Sequence, residues 1–302
     1  VSYTDYTLLK SEIDDSVNFV LKTNPGMIEC RYVRRCEDYF IVYLSSQTGC
    51  NKACRMCHLT QTGQTAFRDV EFQEYLDQAH QVFDYYSSQT KAKTVHFNFM
   101  SRGEVFANRD LLISEAYTDL IKYLSDIAYR YKVIPKFKFS TIMPQEMHNR
   151  KLSEMFGPYN PDIYYSLYSV NPAFRKKWLP KSLPVEESLS ILKEYQEHSH
   201  KIIKLHWAFI EGENDSFEDI NQIRYEVKKA KLRVDFNIVR YNPYSELQGK
   251  EPSEEHIENL AYVLRRDFPE SNVTIVPRVG FDVAASCGTF VGGRNSKYVS
   301  II

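Results

Sequence analysis

The chain has 302 residues, a length that suits one large domain or two small ones. With 43% hydrophobic and 25% charged residues and only 11 Gly and 12 Pro, it reads as globular, which excludes a disordered or collagen-like chain. Its 38 basic and 39 acidic residues leave a net charge of -1, so no global field draws it onto nucleic acid, and such a partner would need a local patch.

Short runs rich in β-branched and aromatic residues predict strands over Asp38 to Ser45, Lys93 to Met100, Lys136 to Thr141, Asp162 to Ser169, Ile202 to Ile210 and Arg233 to Arg240. Helical spacing between them predicts helices over Glu71 to Tyr86, Leu111 to Tyr131, Pro184 to Glu197 and Phe217 to Lys229, the last opened by the capping cluster Asn214-Asp215-Ser216. A further helix, Glu254 to Phe268, follows Pro252-Ser253, and a seventh strand is predicted over Asn272 to Val276. Strands joined by helical crossovers imply a parallel sheet covered by helices. The expected fold is α/β, a partial (β/α)6 barrel over residues 38–270, with an N-terminal extension over 1–37 and a C-terminal segment over 271–302 that carries Cys287. No apolar run approaches the roughly 18 residues of a membrane helix, and Val1 to Asp15 is polar and acidic; the expectation is a cytoplasmic protein without a membrane partner.

Three of the six cysteines, Cys50, Cys54 and Cys57, fall within eight residues just after the first predicted barrel strand, where a barrel places its chemistry. Such clustering points to a metal centre in a reducing compartment rather than to disulfides. Three thiolates on one loop can hold three irons of a cubane and leave the fourth iron open for an exchangeable ligand. The competing reading is structural zinc with His58 as the fourth ligand, although zinc sites usually pair their ligands as two separated couples.

The spacing Cys-x3-Cys-x2-Cys after a first strand resembles the radical S-adenosylmethionine (SAM) superfamily, and the lead-in Ser45-Ser46-Gln47-Thr48-Gly49-Cys50 resembles its RlmN/Cfr adenosine methyltransferase branch. Further likenesses follow in order. Gly103-Glu104 resembles the Gly-Glu-Pro segment that receives the SAM amino group, with Val105 in place of proline. Ser140 ends a strand where the family has a ribose contact, and Ser166-Leu167-Tyr168 resembles a Ser-Leu-His segment with tyrosine in place of histidine. Asn242, in Tyr241-Asn242-Pro243-Tyr244, matches a SAM contact, and Cys287, in Asp282-Val283-Ala284-Ala285-Ser286-Cys287-Gly288, matches the methyl-carrying cysteine.

The resemblance implies a 4Fe-4S cluster on Cys50, Cys54 and Cys57, SAM as co-substrate, and an electron donor such as flavodoxin or ferredoxin. It implies methylation of adenosine in ribosomal or transfer RNA: one SAM methylates Cys287, and a 5'-deoxyadenosyl radical from a second activates that methyl group for addition to the ring. Glu29, in Met27-Ile28-Glu29-Cys30, resembles the family's proton-abstracting glutamate; its bland alternative is a surface charge before the first strand. Two departures stand out. The family's resolving cysteine, seven residues before the first cluster ligand, is Tyr43 here, which leaves Cys30 and Cys36 as substitutes, and only 49 residues precede Cys50, fewer than the family's RNA-engaging accessory domain needs. Arg34-Arg35, Arg175-Lys176-Lys177, Lys228-Lys229, Arg265-Arg266 and Trp178 are candidate replacements for RNA contact. A radical SAM enzyme acting on a protein or small metabolite, and a zinc-stabilised binding module, remain the rival readings.

Overall fold

The computed structural model describes residues 6–113 and 116–292, so the outer ends of both predicted terminal segments and two residues of the predicted helix over 111–131 lie outside it. Three strands come first: β1 (Thr7–Lys10), β2 (Ser16–Lys22) and β3 (Met27–Arg34), paired antiparallel in sequence order and then to β4 (Tyr39–Tyr43). From β4 the sheet continues in parallel through β5 (Thr94–Phe99), β6 (Ile134–Thr141), β7 (Asp162–Tyr165), β8 (Ile203–Ala208), β9 (Val234–Val239) and β10 (Val273–Val276). A short helix, α1 (His58–Gln61), follows the cysteine loop and lines the cavity with Leu59 and Thr60; the outer face is covered by α2 (Phe72–Ser87), α3 (Ala116–Arg130), α4 (Leu152–Phe156), α5 (Pro172–Trp178), α6 (Val185–Ser199), α7 (Phe217–Lys229) and α8 (Glu254–Asp267). Among the described residues no helix is long and apolar enough to cross a membrane.

The ten-stranded sheet is wider than the seven predicted strands on its N-terminal side, and the predicted seventh strand over Asn272 to Val276 is β10. The last strand carries it past residue 270, and β1 to β3 extend it within the predicted N-terminal extension. The first strands escape a periodicity reading because β3 puts Glu29 and Arg31 at positions where an inward apolar residue would show the alternation, and both are buried. The strand predicted over Asp162 to Ser169 stops at Tyr165, since Tyr168 takes a left-handed φ of 56° and turns the chain.

The period of two sorts side chains by chemistry. Phe97 and Phe139 point outward onto α2, α3 and α4, where Phe83, Tyr117 and Phe156 meet them at ring separations of 6.0, 5.9 and 4.8 Å. The alternate positions, His96, Asn98, Lys138 and Ser140, face the barrel interior and line a cavity there. This is where many of the 22 Tyr and 18 Phe go: the apolar core is a shell between sheet and helices, with a polar barrel inside. Helix starts follow local chemistry, as at α7, where Ser216 and Asp219 form a reciprocal capping box.

Asn108 fixes the loops at the mouth. It is fully buried, donates to the carbonyls of Ser46 (2.8 Å) and Val70 (2.9 Å) and to the Tyr75 hydroxyl, and accepts from the Leu111 N–H. Replacing it with leucine strands these groups, so Asn108→Leu is expected to lower stability by roughly 1–3 kcal/mol in a urea melt.

Candidate active site

The loop after β4 is held by its lead-in residues. The Ser45 hydroxyl accepts from the Glu29 N–H (3.0 Å) and donates to the Glu29 carbonyl (2.6 Å), and Gln47 donates to Asp69. Gly103, with φ 90°, packs against Gln47 so closely that a Cβ would lie 2.6 Å from its Cβ. The lead-in is thus a brace, and it delivers Cys50, Cys54 and Cys57 to the cavity wall as free thiols.

These thiols resist ionisation. Burial and the charge of Cys57 push Cys50 up to about 12, burial with Cys50 and Cys57 raises Cys54 well above the usual range, and burial raises Cys57. Three sulfurs that oppose one another's charge fit a polycationic cluster, whose irons stabilise all three thiolates. Among the described residues no group of three or more Cys, His, Asp or Glu can surround one metal ion. His58 is tied in twice: its backbone N–H donates to the Gly288 carbonyl (3.0 Å), and its ring Nε2 lies 2.9 Å from the Asn242 carbonyl.

Around the cavity stand Gly103 and Glu104 after β5, Ser140 on β6, Ser166 and Tyr168 after β7, and Asn242 after β9. Leu167 is not on the wall; it is fully buried in the outer core, and its carbonyl accepts from Arg175 (2.9 Å). Burial pushes the Glu104 carboxyl up to about 7 against the pull of the Ile142 N–H (3.1 Å), the Thr141 hydroxyl, the Phe106 N–H (3.2 Å) and Lys52. A buried carboxyl with only partial compensation suits a cationic ligand.

Cys287, 230 residues beyond Cys57 in sequence, opens onto the same cavity. Its carbonyl accepts from the Asn242 amide (2.9 Å), whose Oδ1 accepts from Arg278 (2.8 Å). Beyond it, Arg31 donates to the Thr289 carbonyl (2.9 Å) and Arg102 to the Val291 carbonyl (2.7 Å), while the Val291 N–H donates to Glu29 (2.9 Å). Cys287 is exposed at its surface, but the crowding of the cavity around it, with the charge of Cys57, pushes its thiol up to about 11, and Arg31 and Arg35 oppose this.

No family model matches the chain. Among curated proteins it is 25% identical to a "Probable dual-specificity RNA methyltransferase RlmN" of Lachnospira eligens, over 92% of this chain and 75% of that one. It is 26% identical to an RlmN 2 of Protochlamydia amoebophila, similarly named as probable, over 82% and 65%, and 28% identical to the ribosomal RNA large subunit methyltransferase Cfr of Staphylococcus warneri, over 84% and 70%. The fold matches the crystal structure of a radical SAM methyltransferase from Sphaerobacter thermophilus with a TM-score of 0.76 at 20% identity, covering 94% of this chain and 81% of that one. This chain is a divergent RlmN/Cfr-like radical SAM protein.

Several expectations drawn from the RlmN/Cfr likeness change in the structure. Glu29 is neither a surface charge nor a base facing the cavity. It is fully buried, pairs with Arg102 (2.8 Å) and Arg31 (3.1 Å), and accepts from Asn18 (2.9 Å). Burial raises its carboxyl, but Arg102, Arg31 and Asn18 outweigh that and hold it below the usual carboxylate value. Tyr43 does line the cavity, whereas Cys30 is fully buried in the outer core and Cys36 is exposed in the β3–β4 turn; neither is on the wall. Most of the basic clusters are committed within the fold: Arg34 and Arg175 bind backbone carbonyls, Lys177 pairs with Glu213, Lys229 with Glu226, Arg265 with Glu258 and Arg266 with Asp267. Trp178 is core, its Nε1–H on Glu213 (2.8 Å). Residues the sequence did not single out, Asn18, Arg31 and Arg102, hold the tail; Arg31 was signalled only by sharing a strand face with Glu29.

Because Glu29 titrates lower folded than unfolded, its contribution is present above the unfolded value near 4.5 and is lost as pH falls through the folded value. Glu29→Gln is therefore expected to lose about 3–5 kcal/mol at neutral pH, with the gap to the parent narrowing in strongly acid melts.

Proposed function

We infer that this protein methylates adenosine in RNA, ribosomal or transfer, with Cys287 as the methyl carrier. The observation that carries the reading is the shared cavity of Cys287 with Cys50, Cys54 and Cys57, with the tail thiol anchored at both ends. Cys50, Cys54 and Cys57 would hold the 4Fe-4S cluster, and Glu104, beside Gly103, would receive the amino group of SAM; Ser140, Ser166 and Tyr168 line the same space for its remainder. Bound there, the cluster and SAM supply a methyl group and a one-electron route to hydrogen abstraction. Cys287 must lose its proton to accept a methyl group, and its side chain is exposed to the cavity where that proton can leave. The Asn242 side chain is spent on Arg278 and Cys287, which makes it a positioner of the carrier loop rather than a free ligand contact. The electron donor would be of the flavodoxin or ferredoxin kind, and the setting the cytoplasm.

Tyr43 supports a second reading, a radical SAM reaction on a protein or small metabolite that never needs a disulfide to release product. Its wall position, with Cys30 and Cys36 both off the wall, is the observation in its favour.

Anaerobic reconstitution, incubation with SAM, reductant and candidate RNA, and mass spectrometry of the Cys287 peptide distinguish the two. The first reading predicts a methyl group on Cys287 and loss of RNA modification in Cys287→Ala. SAM cleavage that persists in Cys287→Ala with an unmodified Cys287 in the parent would support the second. Glu104→Gln is expected to weaken SAM binding at least about tenfold by calorimetry while the cluster's visible absorption stays unchanged.

A further inference from the structure

Below the cysteine loop the barrel interior is polar at positions where barrels ordinarily stack branched apolar side chains. His96 and Asn98 on β5, Lys138 on β6, Tyr164 on β7 and His206 on β8 all face the cavity, and Arg35 reaches it from the β3–β4 turn. Several of their atoms have no partner: His96 Nδ1, Asn98 Oδ1 and His206 Nδ1 are buried without a hydrogen bond, although His96 and Asn98 are only 8% and 5% exposed.

The charges are unbalanced as well. Other cations on the cavity wall are neutralised: Arg31 by Glu29, Lys52 by Glu146, Arg240 and Arg278 by Glu251. Lys138 makes no ion pair among the described residues and rests over the Tyr164 ring, 5.8 Å from its centroid. The acids nearest in the sheet are taken, Asp162 by Lys201 (3.1 Å) and Asp235 by Lys204. Arg35 likewise makes no ion pair among the described residues, and its charge acts on Lys138, Tyr164 and His206, so the two cations share one space.

We propose that the lower barrel is a second ligand site, distinct from the cysteine loop and the Glu104 subsite, that takes the anionic group of a small molecule, a phosphate or a carboxylate, between Arg35 and Lys138. Two cations that make no ion pair among the described residues gain most from an anion, and the orphaned Nδ1 atoms of His96 and His206 supply further hydrogen bonds to it in the tautomer that protonates them. Burial, with Lys138 near His96 and Arg35 near His206, depresses both histidines, to about 3 and about 4, so each ring stays neutral and offers one N–H. The site stands independently of the methyl-transfer reading.

The test is side-chain NMR of the histidines in the anaerobically reconstituted full chain, titrated separately with inorganic phosphate and with acetate. Saturable shifts of His96 and His206, with the exposed His148 unmoved, are expected. Lys138→Met and Arg35→Met should each weaken binding at least about tenfold, and Lys138→Arg should retain it. Tighter phosphate than acetate assigns a phosphate-bearing ligand, and the reverse a carboxylate. No saturable shift with either anion overturns the proposal, as does equal affinity in both methionine variants; Arg35, exposed in its turn, provides a variant whose folding is secure if Lys138→Met fails.

Discussion

A buried charge cluster ties β3 to the segment of Thr289 and Val291. Glu29 has no contact with water, and its desolvation is offset only because Arg31 and Arg102 close on it from a neighbouring position of its own strand and from the loop after β5. The two guanidiniums have donors to spare, and the carbonyls of Thr289 and Val291 take them, while Phe290 lies under both. Without the tail these donors would be buried and unpaired; without Glu29 the guanidiniums would be two like charges side by side. Docking of the tail and burial of the acid are one event, and the position of Cys287 follows from it.

That dependence explains what the sequence revealed and what it hid. Cys50, Cys54, Cys57 and Cys287 stand out in the sequence because their chemistry resides in the side-chain type itself, and the fold brings all four to one cavity. The parallel strands were legible because Val95, Phe97 and Phe99, like Ile203, Leu205 and Trp207, repeat on the helix-facing side. The role of Glu29 was not, because its decisive partner, Arg102, is 73 residues away and nothing local announces the pairing. The strand containing Glu29 was hidden for the same reason: its inward positions are charged, and only the tertiary partners make them tolerable. Asn242 reads as a ligand contact because its neighbours Tyr241 and Pro243 fit the family pattern; it does line the cavity, and its amide also binds Arg278 and the Cys287 carbonyl.

The barrel also divides its labour by strand face. Stacked rings such as Phe99 and Phe139, 4.1 Å apart, carry the packing on the outer face and so free the inner face from that duty. Inner positions can then hold groups that cost stability, among them the raised carboxyl of Glu104, Lys138 with no ion pair among the described residues, and imidazoles with orphaned nitrogens. Local inconsistency of this kind concentrates where ligands bind.

The central claim is that the Cys287 thiol lies beside the loop of Cys50, Cys54 and Cys57. Fluorine NMR tests it most directly, with trifluoromethyl thioethers placed on Cys287 and, as an internal reference, on the exposed Cys36 of the reconstituted protein. When the cluster is reduced, the account predicts that the Cys287 resonance broadens sharply while the Cys36 resonance stays narrow. Equal sharpness of both signals after reduction would contradict it.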